Sequence, residues 1–492
     1  MESTTKLTCF LQLLIFSFLC QSLASSSFTI VDSNSTFPSE ALPTKSGYLP
    51  INPNTNSAIF YTFYEAQSPG LPLSQTPLLI WLQGGPGCSS MIGNFFELGP
   101  YRVVDIQNEN IQHLSLERNL GSWNRIFGLI FLDNPIGVGF SFAATPEEIP
   151  RDQHSVAKHL FAAITGFIGL DPDFKNRPLY ITGESYAGKY VPAIGYYILK
   201  QNMRLPEGKQ VNLKGVAIGN GLTDPITQVK THAVNAYFSG FINERQKGEL
   251  EEAQWKAVEF VKTGNWSEAT NARSEALDLL QNMTGLATLY DFTKKAPYRT
   301  GLVTKFLQSA DVKRKLGANE SIVFDECSDA VGEALSEDVM KSVKYMVELL
   351  VKKSKVLLYQ GHFDLRDGVV STEAWVRTMK WEGIKRFLIA ERKVWKVNGE
   401  LAGYAQKWGS LSHVVVLGAG HLVPTDQALN SQAMIEDWVL DKGVFAYEKK
   451  RVSASDTRAV GDRELGFLGR FIPVELFDAS SFLRIANTNI GI

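Results

Sequence analysis

Net charge, cysteine and long apolar runs are all scarce in this sequence of 492 residues. The 49 lysine and arginine side chains nearly balance the 51 aspartate and glutamate side chains, and the formal charge of -2 argues against nucleic acid as a main partner. Beyond the N-terminal segment, no apolar run is long enough for a stable membrane span. With 44% hydrophobic residues, the chain can bury a large core, and we expect one α/β domain with an insertion.

The N-terminal segment has the pattern of a secretory signal. Lys6 precedes the apolar residues 7–19, and residues 22–24 are small enough for a signal peptidase. We therefore interpret residues 1–24 as a signal peptide and the serine-rich residues 25–44 as a mobile leader. Such a chain enters the secretory pathway and is secreted or vacuolar. Four glycosylation sequons agree with this route: Asn34, Asn265, Asn282 and Asn319.

Only two of the four cysteines remain after such a signal is removed, because Cys9 and Cys20 lie within it. Cys88 and Cys327 then stand in an oxidising compartment, which favours one disulfide between them. Two separate thiols are the alternative. A bridge over so long a segment would stabilise the fold by at most about 5 kcal/mol through the entropy of the unfolded chain.

Apolar runs alternate with helical patterns, which predicts an α/β fold around a mostly parallel sheet. The runs predicted as strands are residues 58–64, 77–82, 128–133, 179–181, 213–219, 355–361 and 413–418. Residues 154–168 are predicted as a helix. Residues 387–398 and 400–407 are predicted as a hairpin that turns at Asn398-Gly399.

The domain organisation follows from where these patterns stop. Residues 223–343 are polar and helical in pattern and contain no run typical of a core strand. We assign them to a largely helical insertion, or cap, between two parts of the core, residues 45–222 and 344–447. The charged residues 448–492 are expected to form a disordered tail.

Residues 183–188, with the sequence Gly-Glu-Ser-Tyr-Ala-Gly, follow a predicted strand and precede a segment compatible with a helix. A strand, a sharp turn and a helix form a nucleophile elbow, which makes Ser185 a candidate nucleophile. Small residues at 183 and 187 allow the backbone to pass close to its neighbours. Ala187 stands where the usual elbow has glycine. The alternative is an ordinary loop in which the serine caps a helix.

Two later strands end in residues that complete a triad with Ser185. A serine nucleophile needs a base and a group that orients the base, in the chain order Ser, Asp or Glu, His for the α/β-hydrolase arrangement. Asp364 and His421 each follow the end of a predicted strand, and parallel strands bring such residues to one edge. Taken singly, Asp364 as a turn former and His421 as a loop histidine are the alternatives. Chain order or strand position excludes the other histidines: His113, His154, His159, His232, His362 and His413.

The tetrahedral intermediate of such a reaction needs hydrogen-bond donors for its oxyanion. The backbone N–H of Tyr186 is one candidate donor, and that of Gly85 in the glycine-rich residues 83–90 is the second. A phosphate-binding loop or a plain turn is the alternative for residues 84–87, although the lysine of a P-loop is absent. We expect no cofactor and no metal ion.

These motifs resemble those of the serine carboxypeptidases, which are acid-active exopeptidases with the α/β-hydrolase fold and a helical insertion. The resemblance extends over about residues 42–444 and rests on these stretches: residues 81–90, 119–141, 183–192, 219–223, 359–364 and 418–424. It implies that Ser185, Asp364 and His421 are the triad. It further implies that Gly85 and Tyr186 donate to the oxyanion.

The resemblance also implies a bridge between Cys88 and Cys327. Other bridges of the family have no cysteines here, so we expect the insertion to be less tightly cross-linked.

A site for the C-terminal carboxylate of a peptide substrate is implied as well, formed by Gln83, Gly84, Glu97 and Glu184. Gln83 stands where asparagine is commoner in the family, and it keeps the amide but adds a methylene group. Two close carboxyls cannot both ionise cheaply, so they share a proton that can be donated to the substrate. Because that proton leaves as the pH rises, we expect an acid optimum.

Two alternatives to a carboxypeptidase remain open. Some plant relatives of the family are acyltransferases that use glucose esters, and they tend to carry aspartate where Glu184 stands here. A catalytically silent binding protein of the same fold is the second alternative. The expected partners are the C-termini of peptides or proteins, and a homodimer is left open.

Overall fold

The computed structural model describes residues 37–108 and 111–446, and the side chains of residues 107–113 are not discussed. The predicted signal peptide, the sequon at Asn34 and the predicted tail, residues 448–492, lie outside the described residues. None of the helices in the described ranges combines the length and apolar composition needed to cross a bilayer.

A ten-stranded sheet forms the centre of the described part, in the order β1-β2-β6-β3-β7-β8-β9-β12-β11-β10. The strands are β1 (Lys45–Pro50), β2 (Ala58–Tyr64), β3 (Leu78–Leu82), β4 (Tyr101–Asn108), β5 (Ile111–Arg118), β6 (Gly128–Leu132), β7 (Leu179–Glu184), β8 (Leu213–Gly219), β9 (Lys355–Gly361), β10 (Arg392–Val397), β11 (Glu400–Trp408) and β12 (Leu411–Val416). The six strands from β6 to β12 in this order are parallel, and antiparallel strands flank them on both sides. The predicted mostly parallel sheet is confirmed.

The central strands are buried on both faces. In β3, Leu78, Ile80 and Leu82 belong to one apolar cluster, and Leu79 and Trp81 belong to another. Because successive residues of a strand point to opposite faces, the two clusters lie on opposite sides of the sheet. Burial on both faces explains why these strands are continuous apolar runs in the sequence.

Helices pack on the sheet and form most of the segment between β8 and β9. They are α1 (Ser90–Ile92), α2 (Gln153–Ile168), α3 (Ala187–Asn202), α4 (Pro225–Gln228), α5 (His232–Phe238), α6 (Glu244–Lys262), α7 (Trp266–Thr284), α8 (Gly301–Leu307), α9 (Ala310–Leu316), α10 (Asp329–Ala334), α11 (Lys344–Lys353), α12 (Val369–Val376), α13 (Ile384–Leu388), α14 (Val423–Asp426) and α15 (Ala428–Val439). Helices α4 to α10 fall within the predicted insertion, residues 223–343, where the structure has no strand. This insertion and the sheet belong to one compact unit.

Three features differ from the sequence-based expectations. Strands β4 and β5 form a separate two-stranded sheet that was not predicted. The hairpin turns at Asn398-Gly399 as expected, with positive φ at both residues, but residues 387–388 belong to α13 and not to its first strand. The predicted leader is too long, because Phe37 is buried against the rings of Phe95 and Phe306. Burial of this aromatic side chain attaches residues 37–44 to the core.

Cys88 and Cys327 form a disulfide across 239 residues of chain, as predicted. Main-chain hydrogen bonds accompany it on both sides. The N–H of Ser89 donates to the carbonyl of Glu326 at 2.8 Å, and the N–H of Ser328 donates to the carbonyl of Gly87 at 2.9 Å. The glycine-rich loop after β3 is therefore joined to the segment before α10.

A buried ion pair links the insertion to the helix that follows the elbow. Oδ2 of Asp338, in the short 3-10 helix Ser336–Asp338, lies 2.7 Å from Nζ of Lys189 in α3. The same oxygen accepts hydrogen bonds from the hydroxyl of Tyr186 and the amide of Gln153, each at 2.7 Å. Burial lowers the pKa of Lys189 to about 8, and the charge of Asp338 opposes this change.

We expect Asp338→Ala to lower the free energy of unfolding by about 3–5 kcal/mol, because it leaves the Lys189 ammonium buried without a counter-charge. Urea denaturation measures the change. The matched control is Glu249→Ala, which breaks an exposed ion pair with Arg245 and is expected to change the free energy by less than about 1 kcal/mol. Equal effects of the two substitutions would contradict the expectation.

Candidate active site

Ser185 occupies a strained turn between β7 and α3. Its φ is 62°, a left-handed value that few residues other than glycine adopt. A Cβ added to Gly183 would lie 2.4 Å from the carbonyl oxygen of Leu82, so glycine is required there for the turn to pack against β3. No side chain caps the N-terminus of α3, which excludes the interpretation of Ser185 as the cap of that helix.

The glycine-rich loop after β3 lies directly against this turn. A Cβ added to Gly84 would lie 2.6 Å from the backbone nitrogen of Tyr186 and 2.7 Å from Cβ of Ser185. Gly85, Ser185 and Tyr186 line one cavity of about 220 Å³. The structure thus brings together the predicted nucleophile and both predicted oxyanion donors.

Asp364 and His421 meet at the carboxyl ends of β9 and β12. Nδ1 of His421 lies 2.7 Å from Oδ2 of Asp364, and His421 and Asp364 are each 2% exposed. Such a contact fixes the orientation of the imidazole and leaves Nε2 as the nitrogen that can act as a base. Nε2 of His421 is buried and forms no hydrogen bond with the described residues, Ser185 included.

Asn220 is a site residue that the sequence reasoning missed. Its Nδ2 donates to Oδ2 of Asp364 at 2.7 Å, and its Oδ1 accepts from the N–H of Gly361 at 3.1 Å. It follows β8 directly and has a φ of 41°. The signal in the sequence was the pair Asn220-Gly221 at a strand end, since asparagine tolerates the left-handed region.

The remaining oxygen of Asp364 is also occupied. Its Oδ1 accepts from the backbone N–H groups of Arg366 at 2.7 Å and Asp367 at 3.1 Å. With the contacts to Asn220 and His421, both oxygens of the carboxylate are satisfied, which holds this side chain in one orientation.

The insertion contributes Tyr290, which also was not predicted. The N–H of His421 donates to its carbonyl oxygen at 2.7 Å, and the two ring centres lie 4.5 Å apart. A Cβ on Gly420 would lie 2.4 Å from the same carbonyl oxygen. Glycine at 420 is therefore needed for the insertion to pack against the histidine.

Gln83 connects the two glutamates predicted to bind a carboxylate. Its Nε2 donates to Oε1 of Glu184 at 2.8 Å and to Oε1 of Glu97 at 3.1 Å, and its Oε1 accepts from the indole N–H of Trp81 at 2.8 Å. Both amide hydrogens are engaged, so the amide orients the two carboxyls. Glu97 lies on a π-helical turn, Gly93–Leu98, a feature often found at functional sites.

Both carboxyls are completely buried, and the side chains of Glu97 and Glu184 hydrogen-bond to each other. Burial raises the pKa of Glu97 to about 7, although Gln83 and Arg102 act in the opposite direction. Burial and the neighbouring charge of Glu97 raise the pKa of Glu184 well above its ordinary value. A shared proton on this pair near neutral pH follows from these shifts.

The raised pKa values predict a stability that falls with rising pH. Between the ordinary glutamate pKa and about 7, the folded protein holds a proton that the unfolded chain releases, so the free energy of unfolding decreases across this window. In Glu97→Gln, the free energy of unfolding should decrease less across this window. For one such group, the decrease amounts to at most about 3 kcal/mol. Thermal unfolding from pH 4.5 to 8 measures it, with the exposed Glu249→Gln as control. Parallel curves for the wild type and Glu97→Gln would contradict the assignment.

No group of His, Cys, Asp or Glu suited to hold a metal ion occurs within the described ranges. The site therefore consists of hydrogen-bonding and ionisable side chains together with backbone N–H groups.

Comparisons with known proteins identify the family of the chain. A sequence model of the family described as "Serine carboxypeptidase" matches residues 35–441. "Serine carboxypeptidase-like 50" of Arabidopsis thaliana is 60% identical over 422 residues, covering 86% of this chain and 93% of the relative. "Probable serine carboxypeptidase CPVL" of Homo sapiens is 33% identical over 423 residues, covering 84% of this chain and 86% of the relative.

A solved structure is similar in fold. The crystal structure of Kex1(delta)p, a prohormone-processing carboxypeptidase from Saccharomyces cerevisiae, has a TM-score of 0.71 and 27% identity and covers 82% of this chain and 92% of its own. This similarity, together with the strand order, confirms the predicted α/β-hydrolase fold. The chain belongs to the serine carboxypeptidase family and is an enzyme of the hydrolase class.

Proposed function

We propose that the protein is a serine-type carboxypeptidase that releases C-terminal amino acids from peptides at acidic pH. The observation that carries this proposal is the buried pair of Glu97 and Glu184, which adjoins the candidate nucleophile because Glu184 directly precedes Ser185. Such a pair suits one ligand group in particular, the carboxylate at the end of a peptide.

In the proposed reaction, Oγ of Ser185 attacks the carbonyl carbon of the last peptide bond. Nε2 of His421 takes the hydroxyl proton and then delivers it to the leaving amine, which departs as a free amino acid. Asp364 keeps the imidazole in the required tautomer and stabilises its protonated form. Water then hydrolyses the acyl-enzyme by the same steps in reverse. The free Nε2 of His421 supports this role.

The negative oxygen of the tetrahedral intermediate is stabilised by the backbone N–H groups of Gly85 and Tyr186. Their position beside Ser185, in the wall of the same cavity, supports this assignment. Donors held by a rigid loop and a helix start need no reorganisation during the reaction.

The terminal carboxylate of the substrate accepts hydrogen bonds from the protonated pair. The carboxyls of Glu97 and Glu184, which hydrogen-bond to each other, are the groups that make this contact in the proposed complex. Gln83 positions the two carboxyls through its amide, and Gly84 allows the loop to approach the elbow. A second ionisation of the pair would repel the substrate, which makes binding dependent on acidic pH.

The glucose-ester acyltransferase and the silent binding protein are less well supported. An acyl donor with a glucose leaving group carries no terminal carboxylate, so it makes no use of the protonated pair. The contacts of Asp364 with His421 and Asn220 preserve the machinery that a silent protein does not need.

We also propose a route through the secretory pathway to a secreted or vacuolar location. The disulfide between Cys88 and Cys327 fits an oxidising compartment. The sequon residues Asn265, Asn282 and Asn319 are exposed and accessible to glycosylation.

The central test uses an N-blocked dipeptide and, separately, a glucose ester with an acceptor. We expect release of the free C-terminal amino acid, and we expect Ser185→Ala to lower kcat by at least about 10⁴-fold, because no other group supplies the acyl acceptor. Amino-acid analysis of the products measures the release. Ester transfer without peptide cleavage would favour the acyltransferase, and no turnover of either substrate would favour the silent protein.

A second test concerns pH. As the pH rises past about 7, Glu97 loses its proton, and KM for a dipeptide with a free C-terminus should increase. Glu97→Gln keeps a hydrogen-bond donor at every pH, so its KM should rise less steeply. Michaelis profiles from pH 4 to 9 measure both, with the C-terminal amide of the same dipeptide as a control that lacks the charge. A value of kcat/KM that keeps increasing above neutral pH would contradict this role.

A further inference from the structure

The cavity beside Ser185 lies apart from the proposed carboxylate site. Its volume is about 220 Å³, and Gln83, Glu97 and Glu184 are not among the residues that line it. In the proposed reaction, the leaving residue extends from the scissile bond toward those glutamates. We therefore assign the cavity to the side chain on the acyl side of the scissile bond.

The insertion and the chain after β9 give this cavity a charged wall. Arg273 of α7 and Asp367 both line it, and they are 5% and 2% exposed. Nη2 of Arg273 is 3.5 Å from Oδ1 of Asp367, which is long for a hydrogen bond. Nε of Arg273 and Oδ1 of Asp367 form no hydrogen bond with any residue that the structure describes.

A second guanidinium, that of Arg366, lines the same cavity. It lies 5.2 Å from the ring centre of Tyr290, and its Nε is 3.7 Å from Oδ2 of Asp367. Leu222 and Val339 supply apolar surface. Within this ion-paired wall, Nε of Arg273 and Oδ1 of Asp367 are the donor and the acceptor that lack a hydrogen bond to the described residues.

A buried donor or acceptor without a partner costs free energy, and a ligand that satisfies both atoms recovers it. We propose that this cavity selects a substrate residue whose side chain ends in a carbonyl or carboxylate oxygen, glutamine or glutamate, on the acyl side of the scissile bond. The oxygen accepts from the guanidinium of Arg273, and the amide of glutamine also donates to the carboxylate of Asp367. The inference rests on the proposed carboxypeptidase function and names its substrate class.

An apolar side chain of similar size leaves both atoms of the wall unpaired. Sites built around buried polar groups discriminate strongly against analogues that lack the matching group. A lysine side chain brings a third cation next to the two guanidinium groups and is opposed by charge.

The test is a series of N-blocked dipeptides with a constant C-terminal leucine, preceded by glutamine, glutamate, methionine or lysine. We expect kcat/KM at acidic pH to be at least about tenfold higher for glutamine or glutamate than for methionine, with lysine lowest. Glutamine above glutamate would support a contact with Asp367, and glutamate above glutamine would support a dominant effect of the arginine charges.

Arg273→Met should remove the preference for glutamine, so that kcat/KM becomes similar for the glutamine and methionine substrates. The matched control Arg245→Met changes an exposed arginine of α6 and should keep the ratio. The wild-type series decides the question even where Arg273→Met fails to fold. Equal or faster cleavage of the methionine substrate overturns the inference and leaves the proposed function intact, whereas cleavage of none of the four overturns both.

Discussion

The hydrogen bonds of the Asp364 carboxylate are the contacts on which the rest of the candidate site depends. They join the ends of three parallel strands, through Asn220 after β8, Asp364 after β9 and His421 after β12. Burying a carboxylate costs free energy unless its oxygens are hydrogen-bonded, and here both oxygens are. One side chain therefore fixes the relative position of three loops and, through them, the direction of the imidazole.

The insertion completes the site from the opposite side. Tyr290 packs on His421, Asp338 holds the hydroxyl of Tyr186, and Arg273 lines the cavity at Ser185. All three residues belong to the long helical segment between β8 and β9, and each contacts a residue that follows a strand of the sheet. In the function that we propose, the sheet edge supplies the catalytic residues and the insertion supplies residues that select the substrate.

Much of this arrangement follows from local sequence patterns, because core strands are continuous apolar runs and their last residues meet at one edge. The positions of Ser185, Asp364 and His421 after the ends of strands were predictable for that reason, and the turn at Asn398-Gly399 followed from its dipeptide. The contacts of Tyr290, Arg273 and Phe37 could not be predicted in the same way, since they depend on how distant segments pack. Strands β4 and β5 were missed because they mix polar with apolar residues and form no continuous apolar run.

Two main-chain hydrogen bonds flank the bridge between Cys88 and Cys327. The disulfide and the backbone hydrogen bonds therefore connect the same two segments of the chain. A reductant that breaks the sulfur–sulfur bond leaves this short ladder in place in the native state. The principal loss falls on the unfolded ensemble, which regains the freedom of a long open loop. Reduction of the disulfide should therefore leave the geometry of the glycine-rich loop unchanged. It should shorten the lifetime of the folded enzyme, because the unfolded state becomes more favourable.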